Sequence, residues 1–447
     1  QPLSIFEDIR ALPPAHSLVY QFGGALEIQR YWDLQFGTES MDGKVTENDL
    51  SDRLLTLLRQ GVKRRLMSDV PVGFFLSGGL DSSLSTALAA ELSPDPIRTF
   101  TLTYSGESTT PGKEEDRRWA RWVAGKYGTI HHEETVEFKN FPEHLRRVLS
   151  CFDEPFTGVV ASYFLSQAIA RHVKVAISGD GADELFGSYL SHRLAQPLAN
   201  FPRYLETGDP SVLRPFQDRP EYLSHLLQVG GDQASAATVA RQPSDWVWRS
   251  KLVVLNEAEK ASLYTSEVAA AVSGCNTDDH FRQEFARVKT SDPLNRILEV
   301  EFRGIFPDQV LCYVDRLSMA HSLEVRSPYL DTDLVTFVAG LPGRLKIKEG
   351  ETKHLLKLAA GRYFPREMVH RPKEGFLMPV TQWLLNDLQS YVRDTLSPAR
   401  VARHGVFRPE QVTRLVDQAY RSGSDYRDAN KVLALLAFEE WYELYMT

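Results

Sequence analysis

The chain has 447 residues, a formal net charge of −8, and 43% hydrophobic against 25% charged residues. That balance fits a soluble globular protein and argues against a general nucleic-acid binder, which needs a basic surface to collect phosphates; no apolar run is long enough to cross a bilayer. Three widely spaced cysteines, Cys151, Cys275 and Cys312, suit neither a disulfide framework nor a zinc site, and they fit a reducing cytoplasm.

At this length, two domains or one large α/β domain with an appendage is expected. The chain opens on Gln1, and residues 5–16 together with Tyr31-Trp32-Asp33 read as extended segments and turns without a core of their own. The expectation is a chain cut from something longer. Residues 47–67 predict an amphipathic helix, because Leu50, Leu54, Leu57, Leu58, Val62 and Leu66 recur at helical spacing. Apolar or β-branched runs at 73–76, 97–104, 130–135 and 173–178 predict strands, and helical patterns fall near 81–92, 114–127, 140–151 and 161–171. Strands alternating with helices imply a doubly wound parallel α/β sheet, which takes its ligands at the carboxyl ends of the strands. From about 195 to 290 the sequence turns polar, with helical pieces that cannot be placed well, and from about 290 to the end it reads helical again.

Leu76-Ser77-Gly78-Gly79-Leu80-Asp81-Ser82-Ser83 runs from the first of these strands into a helix. Glycines let backbone approach a phosphate, the first helical turn aims N–H groups at it, and the hydroxyls of Ser77, Ser82 and Ser83 add donors. Asp81 would repel a phosphate unless a cation lies between them, so it reads as a Mg²⁺ ligand. There is no Gly-Lys-Ser/Thr ending, so this is not a Walker loop. Ser-Gly-Gly alone is more often a plain turn before a helix; the whole stretch resembles the pyrophosphate loop of enzymes that cut ATP between the α and β phosphates.

Ser178-Gly179-Asp180-Gly181-Ala182-Asp183-Glu184-Leu185-Phe186-Gly187 follows another strand. In isolation it could equally be a solvated acidic loop. Beside the first loop, Asp183 and Asp81 are candidates to share one Mg²⁺ against ATP oxygens. Asp180 is a candidate to orient an attacking amine or accept its proton, and Glu184 to charge the next helix N-terminus. Lys353, where a helix starts, and Lys373, in a Pro/Gly turn, are ordinary surface lysines when judged singly. A leaving pyrophosphate and a pentavalent phosphate both need positive charge.

Residues 77–83, Asp153-Glu154-Pro155-Phe156, 178–187, 314–331 and 371–376 resemble, in order and over nearly the whole chain, the synthetase domain of glutamine-dependent asparagine synthetases. The resemblance implies a PP-loop ATP pyrophosphatase fold of the adenine nucleotide α-hydrolase type, with a large helical C-terminal part. It implies a remnant of an N-terminal glutaminase domain at 1–40 and a synthetase domain at 41–447. Within that domain it implies a nucleotide-binding core at 41–195, a helical insertion at 196–290 and a mostly helical part at 291–447 that completes the site. A substrate carboxylate, by default aspartate, would attack the α-phosphate of MgATP, and ammonia would then displace AMP to leave the amide.

Carried over by motif, pyrophosphate would sit on the 77–83 loop and Lys353, and Mg²⁺ on Asp81 and Asp183. Adenine would meet backbone near Leu76 and Leu102, the Ser178-Gly179 turn would lie near the nucleotide, and Lys373 would stabilise the adenylation transition state. Asp180 occupies the family's acidic position in the second loop. The charged residues of 315–331 read first as a supporting ion network. Two departures stand out. The glutaminase half with its first-residue cysteine is missing, so ammonia is expected from a separate glutaminase domain or subunit. After Asp153-Glu154-Pro155-Phe156, the text Thr157-Gly158-Val159-Val160-Ala161-Ser162-Tyr163 is shorter and less polar than the family's, which puts aspartate in doubt. Amidotransferases acting on another carboxylate, ring-closing synthetases and a non-catalytic nucleotide-binding scaffold are the alternatives. The partners expected are small molecules, not nucleic acid or membrane, and a homodimer stays open.

Overall fold

The computed structural model describes residues 2–38, 44–104, 113–136, 141–158, 160–227, 243–372, 384, 387–421 and 426–447. Its centre is a five-stranded sheet, every neighbouring pair parallel, in the order β5-β4-β3-β6-β7. The strands are β3 (Val72–Phe75), β4 (Arg98–Tyr104), β5 (Ile130–Val136), β6 (Val175–Ile177) and β7 (Glu324–Arg326). Between them run α1 (Glu47–Arg65), ahead of β3, then α2 (Leu80–Leu92), α3 (Lys113–Tyr127), α4 (Phe141–Leu149) and α5 (Ala161–Ile169).

The strands alternate between two cores, as a two-residue period requires. Phe74 and Ile177 pack with Leu54, Leu58 and Val62 of α1 and with Leu84 and Leu88 of α2. Phe100 and Ala176 turn the other way, onto Leu165 and Ile169 of α5, where Phe75 also packs. Gly73 belongs to this scheme, since a Cβ there would stand 2.6 Å from the Phe100 ring. Helices thus cover both faces of a parallel sheet, as the alternating sequence predicts. The start of α1 is fixed by a reciprocal capping box between Thr46 and Asp49, and its last turn carries Lys63, Arg64 and Arg65 against the helix dipole.

From β3 the chain steps outward through β4 to β5, then returns to lay β6 on the opposite side of β3. The order therefore reverses between β3 and β6. Such a switch point opens a crevice at the strand ends, and both glycine loops leave from it. β7 lies inside a stretch that reads helical. It is only three residues, Glu-Val-Arg, too short and too charged to signal a strand.

The helices α6 (Ala182–Phe186) and α7 (Leu190–Ala199) follow β6, short helices occupy much of the described part of 201–287, and α8 (Pro293–Arg303) returns to the main core. A π-helical stretch, Phe306–Leu311, leads directly into α9 (Cys312–Met319). Further on, α10 (His354–Ala360) packs on α1. The C-terminal helices build a second core around Val392, Val412 and Leu436 together with Leu145 of α4. At the other end, β1 (His16–Tyr20) and β2 (Leu26–Arg30) form an antiparallel hairpin in which Leu18, Val19, Tyr20, Leu26 and Ile28 are exposed. The chain enters the main core only at Leu34 and Phe36, where the Phe36 N–H donates to Glu299 Oε2 at 3.1 Å. Among the described residues no helix is long and apolar enough to cross a membrane.

Candidate active site at the carboxyl edge of the sheet

The first loop is built so that only glycine fits at Gly78. Its φ is +77°, and a Cβ would lie 2.0 Å from the Asp116 carbonyl oxygen. Gly79 is the N-cap of α2, with extended backbone and no side chain to fill the space ahead of the first helical turn. The hydroxyls of Ser77 and Ser82 lie 3.0 Å apart, and the Gly79 N–H donates to Ser77 Oγ at 3.2 Å. Ser83 and Leu76 are fully buried. The Leu76 carbonyl accepts from Thr101 Oγ1 of β4, and Leu102 sits one residue further along that strand. Arg371, which opens the last sequence motif, donates to the Gly78 carbonyl at 2.9 Å and pairs with Asp116 at 2.5 Å. Lys373 lies outside the described residues.

The second loop abuts the first. A Cβ at Gly179 would stand 3.1 Å from the Asp81 Cβ and 3.3 Å from the Ser82 nitrogen, so glycine lets the two loops touch. Gly181 turns at φ +89° against Leu330 and Phe306. The Ser178 N–H donates to the Arg326 carbonyl, Ser327 Oγ donates to the Asp180 carbonyl at 2.6 Å, and Tyr329 donates its hydroxyl to the Asp81 carbonyl at 3.0 Å. The 327–329 turn thus holds both loops from below.

Lys353 joins the two loops chemically. Its Nζ lies 2.5 Å from Asp81 Oδ2 and 2.5 Å from Asp183 Oδ1, and the residue is 5% exposed. Burial alone would lower its pKa; the charges of Asp183 and Asp81 and their hydrogen bonds outweigh that and hold the ammonium above the ordinary lysine range. Asp183 also accepts from the Ser188 hydroxyl at 2.5 Å. Burial, opposed by a hydrogen bond from Ser178 and reinforced by Asp183 and Asp81, pushes the Asp180 carboxyl up. Glu184 lies in the first turn of α6; it is buried, accepts from the Tyr189 hydroxyl at 2.7 Å, and is pushed up to about 7, chiefly by burial.

The donor set suits a divalent cation held partly by its ligand. Among the described residues no group of three or more His, Cys, Asp or Glu side chains is gathered for a metal. Two carboxylates converge instead on one cationic point, and Mg²⁺ usually takes one or two carboxylates plus phosphate oxygens and waters.

Tyr313 is a neighbour that sequence reasoning missed. Burial, followed by the charges of Asp180, Glu184 and Asp183, drives its phenol well above the usual tyrosine range. The signal was faint: a tyrosine inside a helical text. Its placement depends on the preceding π-helical stretch, a local widening that is frequent at functional sites and not legible in sequence. His192 marks the back of the site. Its Nδ1 accepts the Ser188 N–H at 3.0 Å, which leaves Nε2 to donate to Glu301 at 2.8 Å. Glu301 also takes the Trp248 indole at 2.5 Å.

A parallel sheet whose switch point carries two glycine loops, two converging carboxylates and a buried lysine defines an α/β protein with a composite site at its strand ends. The asparagine synthase family model matches residues 53–443, and the chain belongs to that family. It is 24% identical to asparagine synthetase (glutamine-hydrolyzing) 1 of Bacillus subtilis over 99% of this chain and 66% of that protein. It is 27% identical to a putative asparagine synthetase (glutamine-hydrolyzing) of Mycobacterium bovis over 94% of this chain and 61% of the relative. Amidase chyE of Penicillium rubens is 22% identical over 93% of this chain and 65% of the relative. The chain therefore spans somewhat under two thirds of these relatives' length.

Proposed function

We propose that this chain is an ATP-dependent amide ligase: it adenylates a carboxylate and passes the acyl group to ammonia, releasing pyrophosphate and AMP. The observation that carries the reading is the convergence of Asp81 and Asp183, from loops on adjacent strands, upon Lys353. The 77–83 loop cradles the β- and γ-phosphates with backbone N–H groups and serine hydroxyls, and the Leu76 and Leu102 backbones flank the adenine. Ser178 and Gly179 border the α-phosphate. Mg²⁺ held by Asp81 and Asp183 would supply charge neutralisation across the phosphates when bound. A carboxylate oxygen of the substrate attacks the α-phosphorus, the bond to the bridging α–β oxygen breaks, and Lys353 and Lys373 balance the negative charge that develops. Ammonia then adds to the acyl carbon, its surplus proton passes to Asp180, and AMP departs with the electron pair of the acyl–oxygen bond.

Aspartate is the default carboxylate, and the names of the relatives support it. The uncharged text at 157–163 and an amidase-named relative favour a second reading, a family amidotransferase acting on another carboxylate. For the nitrogen we propose a glutaminase module, seated on the exposed β1–β2 hairpin. The apolar surface of that hairpin supports this partner, since an isolated two-stranded sheet is marginal in water.

The test is pyrophosphate release from MgATP with ammonium, across a panel of carboxylates. Release that depends on one carboxylate and yields its amide is the expected result, and Lys373→Ala should then abolish amide formation while ATP still binds. ATP binding with no release for any carboxylate would leave the scaffold reading instead.

A further inference from the structure

Two neighbouring side chains, Arg371 and His370, hold two different parts of the site. Arg371, largely buried, donates to the Gly78 carbonyl at 2.9 Å and pairs with Asp116 at 2.5 Å. Asp116 lies in the first turn of α3, whose backbone packs against Gly78 itself. A trans peptide points its C=O and its N–H to opposite sides. With the Gly78 carbonyl held by Arg371, the Gly79 N–H is turned the other way, where it donates to Ser77 Oγ at 3.2 Å. A carbonyl free to rotate would bring its own negative end towards a bound phosphate. His370 reaches the other part. Its Nδ1 lies 2.7 Å from Glu351 Oε1, and Glu351 Oε2 lies 2.9 Å from His354 Nδ1. His354 continues through Nε2 to Glu47 Oε2, in the first turn of α1, also at 2.9 Å. Burial opposes the charge on Glu351, yet hydrogen bonds from His354 and His370 hold its carboxyl below the ordinary range.

Lys353 stands between Glu351 and His354 in the chain, as the residue that caps α10. A run of contacts thus leads from α1, through the Lys353 turn, to the loop at Gly78. Pyrophosphate needs that loop and that lysine at once, and a misplacement of about 1 Å weakens such a site severely. The bonds of Lys353 to Asp81 and Asp183 cannot fix the spacing once a pyrophosphate takes the ammonium. Resting on the pyrophosphate reading above, we propose that Glu351, His370 and Arg371 form a strap of positioning residues, which sets the Lys353 turn at a fixed distance from the 77–83 loop so that one pyrophosphate meets both.

The experiment measures, by calorimetry on the full chain, the binding of inorganic pyrophosphate with Mg²⁺ and, separately, of AMP. We expect Arg371→Ala to weaken pyrophosphate about tenfold, as the loss of a charge-assisted contact should. His370→Ala should weaken it about threefold, the smaller effect of a half-exposed pair. AMP affinity should stay within about twofold in both, since AMP does not span the strap. His370→Asn, whose amide nitrogen stands in for Nδ1, should restore binding. Glu351→Ala combined with His370→Ala should lose no more than Glu351→Ala alone, because both remove one contact. If Arg371→Ala melts early, Arg371→Lys is read in its place, together with the His370 variants. Unchanged pyrophosphate affinity in the Arg371 and His370 variants overturns the strap and leaves the ligase reading standing. Equal losses of pyrophosphate and AMP also overturn it, because these residues would then support the fold in general. No pyrophosphate binding by the unmodified chain overturns the strap and the ligase reading together.

Discussion

Single residues carry sharply different burdens in this chain, and two of them make predictions. Gly78→Ala must place a methyl 2.0 Å from a backbone oxygen at a left-handed φ, with no flexible side chain to yield. The loop must shift, so pyrophosphate release should fall at least a hundredfold, and the melting temperature should drop with a cost of about 2 kcal/mol or more. Activity near wild type would mean that the loop does not hold phosphate. Lys346 is the opposite case, a buried cation far from any proposed chemistry. It donates to Asn295 Oδ1 at 2.6 Å and stands over the Phe36 ring, and burial lowers its pKa to about 7, against a small opposing pull from Asp292. The unfolded chain keeps that lysine protonated up to its ordinary value near 10.4. Between about pH 7 and 10.4 the unfolded state thus binds more protons, and stability should rise with pH through that window. Below about 7 the penalty is complete. Lys346→Met should remove this rise, which amounts to about 1.4 kcal/mol per pH unit for the one proton involved, and denaturant unfolding at pH 6.5, 8 and 9.5 would show it.

At the level of elements, the 314–331 stretch resolves into separate jobs. Asp331 is 2% exposed, takes Arg64 at 2.7 Å and also Arg65, and caps the helix Thr332–Gly340 through the Asp333 N–H. Here the expected supporting network is a strut between α1 and the turn that holds both loops. Asp331→Ala leaves two arginines without their shared partner and removes a cap. It should cost about 3 kcal/mol in unfolding free energy and lower activity only through the folded fraction. Loss of turnover without loss of stability would place Asp331 in the site itself. The same stretch shows what the sequence could and could not disclose. The glycine loops were legible because their constraints are local: a positive φ, a helix start, a run of small residues. The sheet was legible because β3, β4 and β5 are long or apolar enough to show their period. β7 was hidden because its three residues gain strand geometry from pairing with β6, a contact 149 positions away in the register Val175↔Glu324. Tyr313 was hidden for a related reason: a widened helical turn rotates it into place, and no periodicity encodes that. Lys353 could be named from the family pattern, yet its bonds to two carboxylates in the first turns of separate helices, α2 and α6, are products of the fold alone.

Taken whole, the molecule hangs its parts on the sheet's carboxyl edge. The final helix Tyr426–Tyr445 reaches the Asp153–Phe156 motif, where the Trp441 indole donates to the Asp153 carbonyl at 3.0 Å. The turn that presents Lys353 comes from yet another region. It carries Glu349 at φ +49°, Gly350 at +87° and Lys353 itself at +55°, so the backbone is held away from its preferred basins at two non-glycine positions. That turn has a consequence for the order in which ligands arrive. With its ammonium 2.5 Å from both Asp81 and Asp183, Lys353 stands where the proposed Mg²⁺ would bind, so on that proposal a bare dication meets a cation already in place. On the same proposal, a ligand that brings surplus negative charge would draw Lys353 outward and let metal in beside it. Mn²⁺ alone should therefore give no bound signal by electron paramagnetic resonance at concentrations where Mn²⁺ with ATP does, and Lys353→Gln should bind Mn²⁺ without nucleotide. Equal metal binding with and without ATP in the unmodified chain would show that the lysine is no gatekeeper. If the order holds, substrate and metal enter as one complex, and the strained turn works as a lock that nucleotide charge opens.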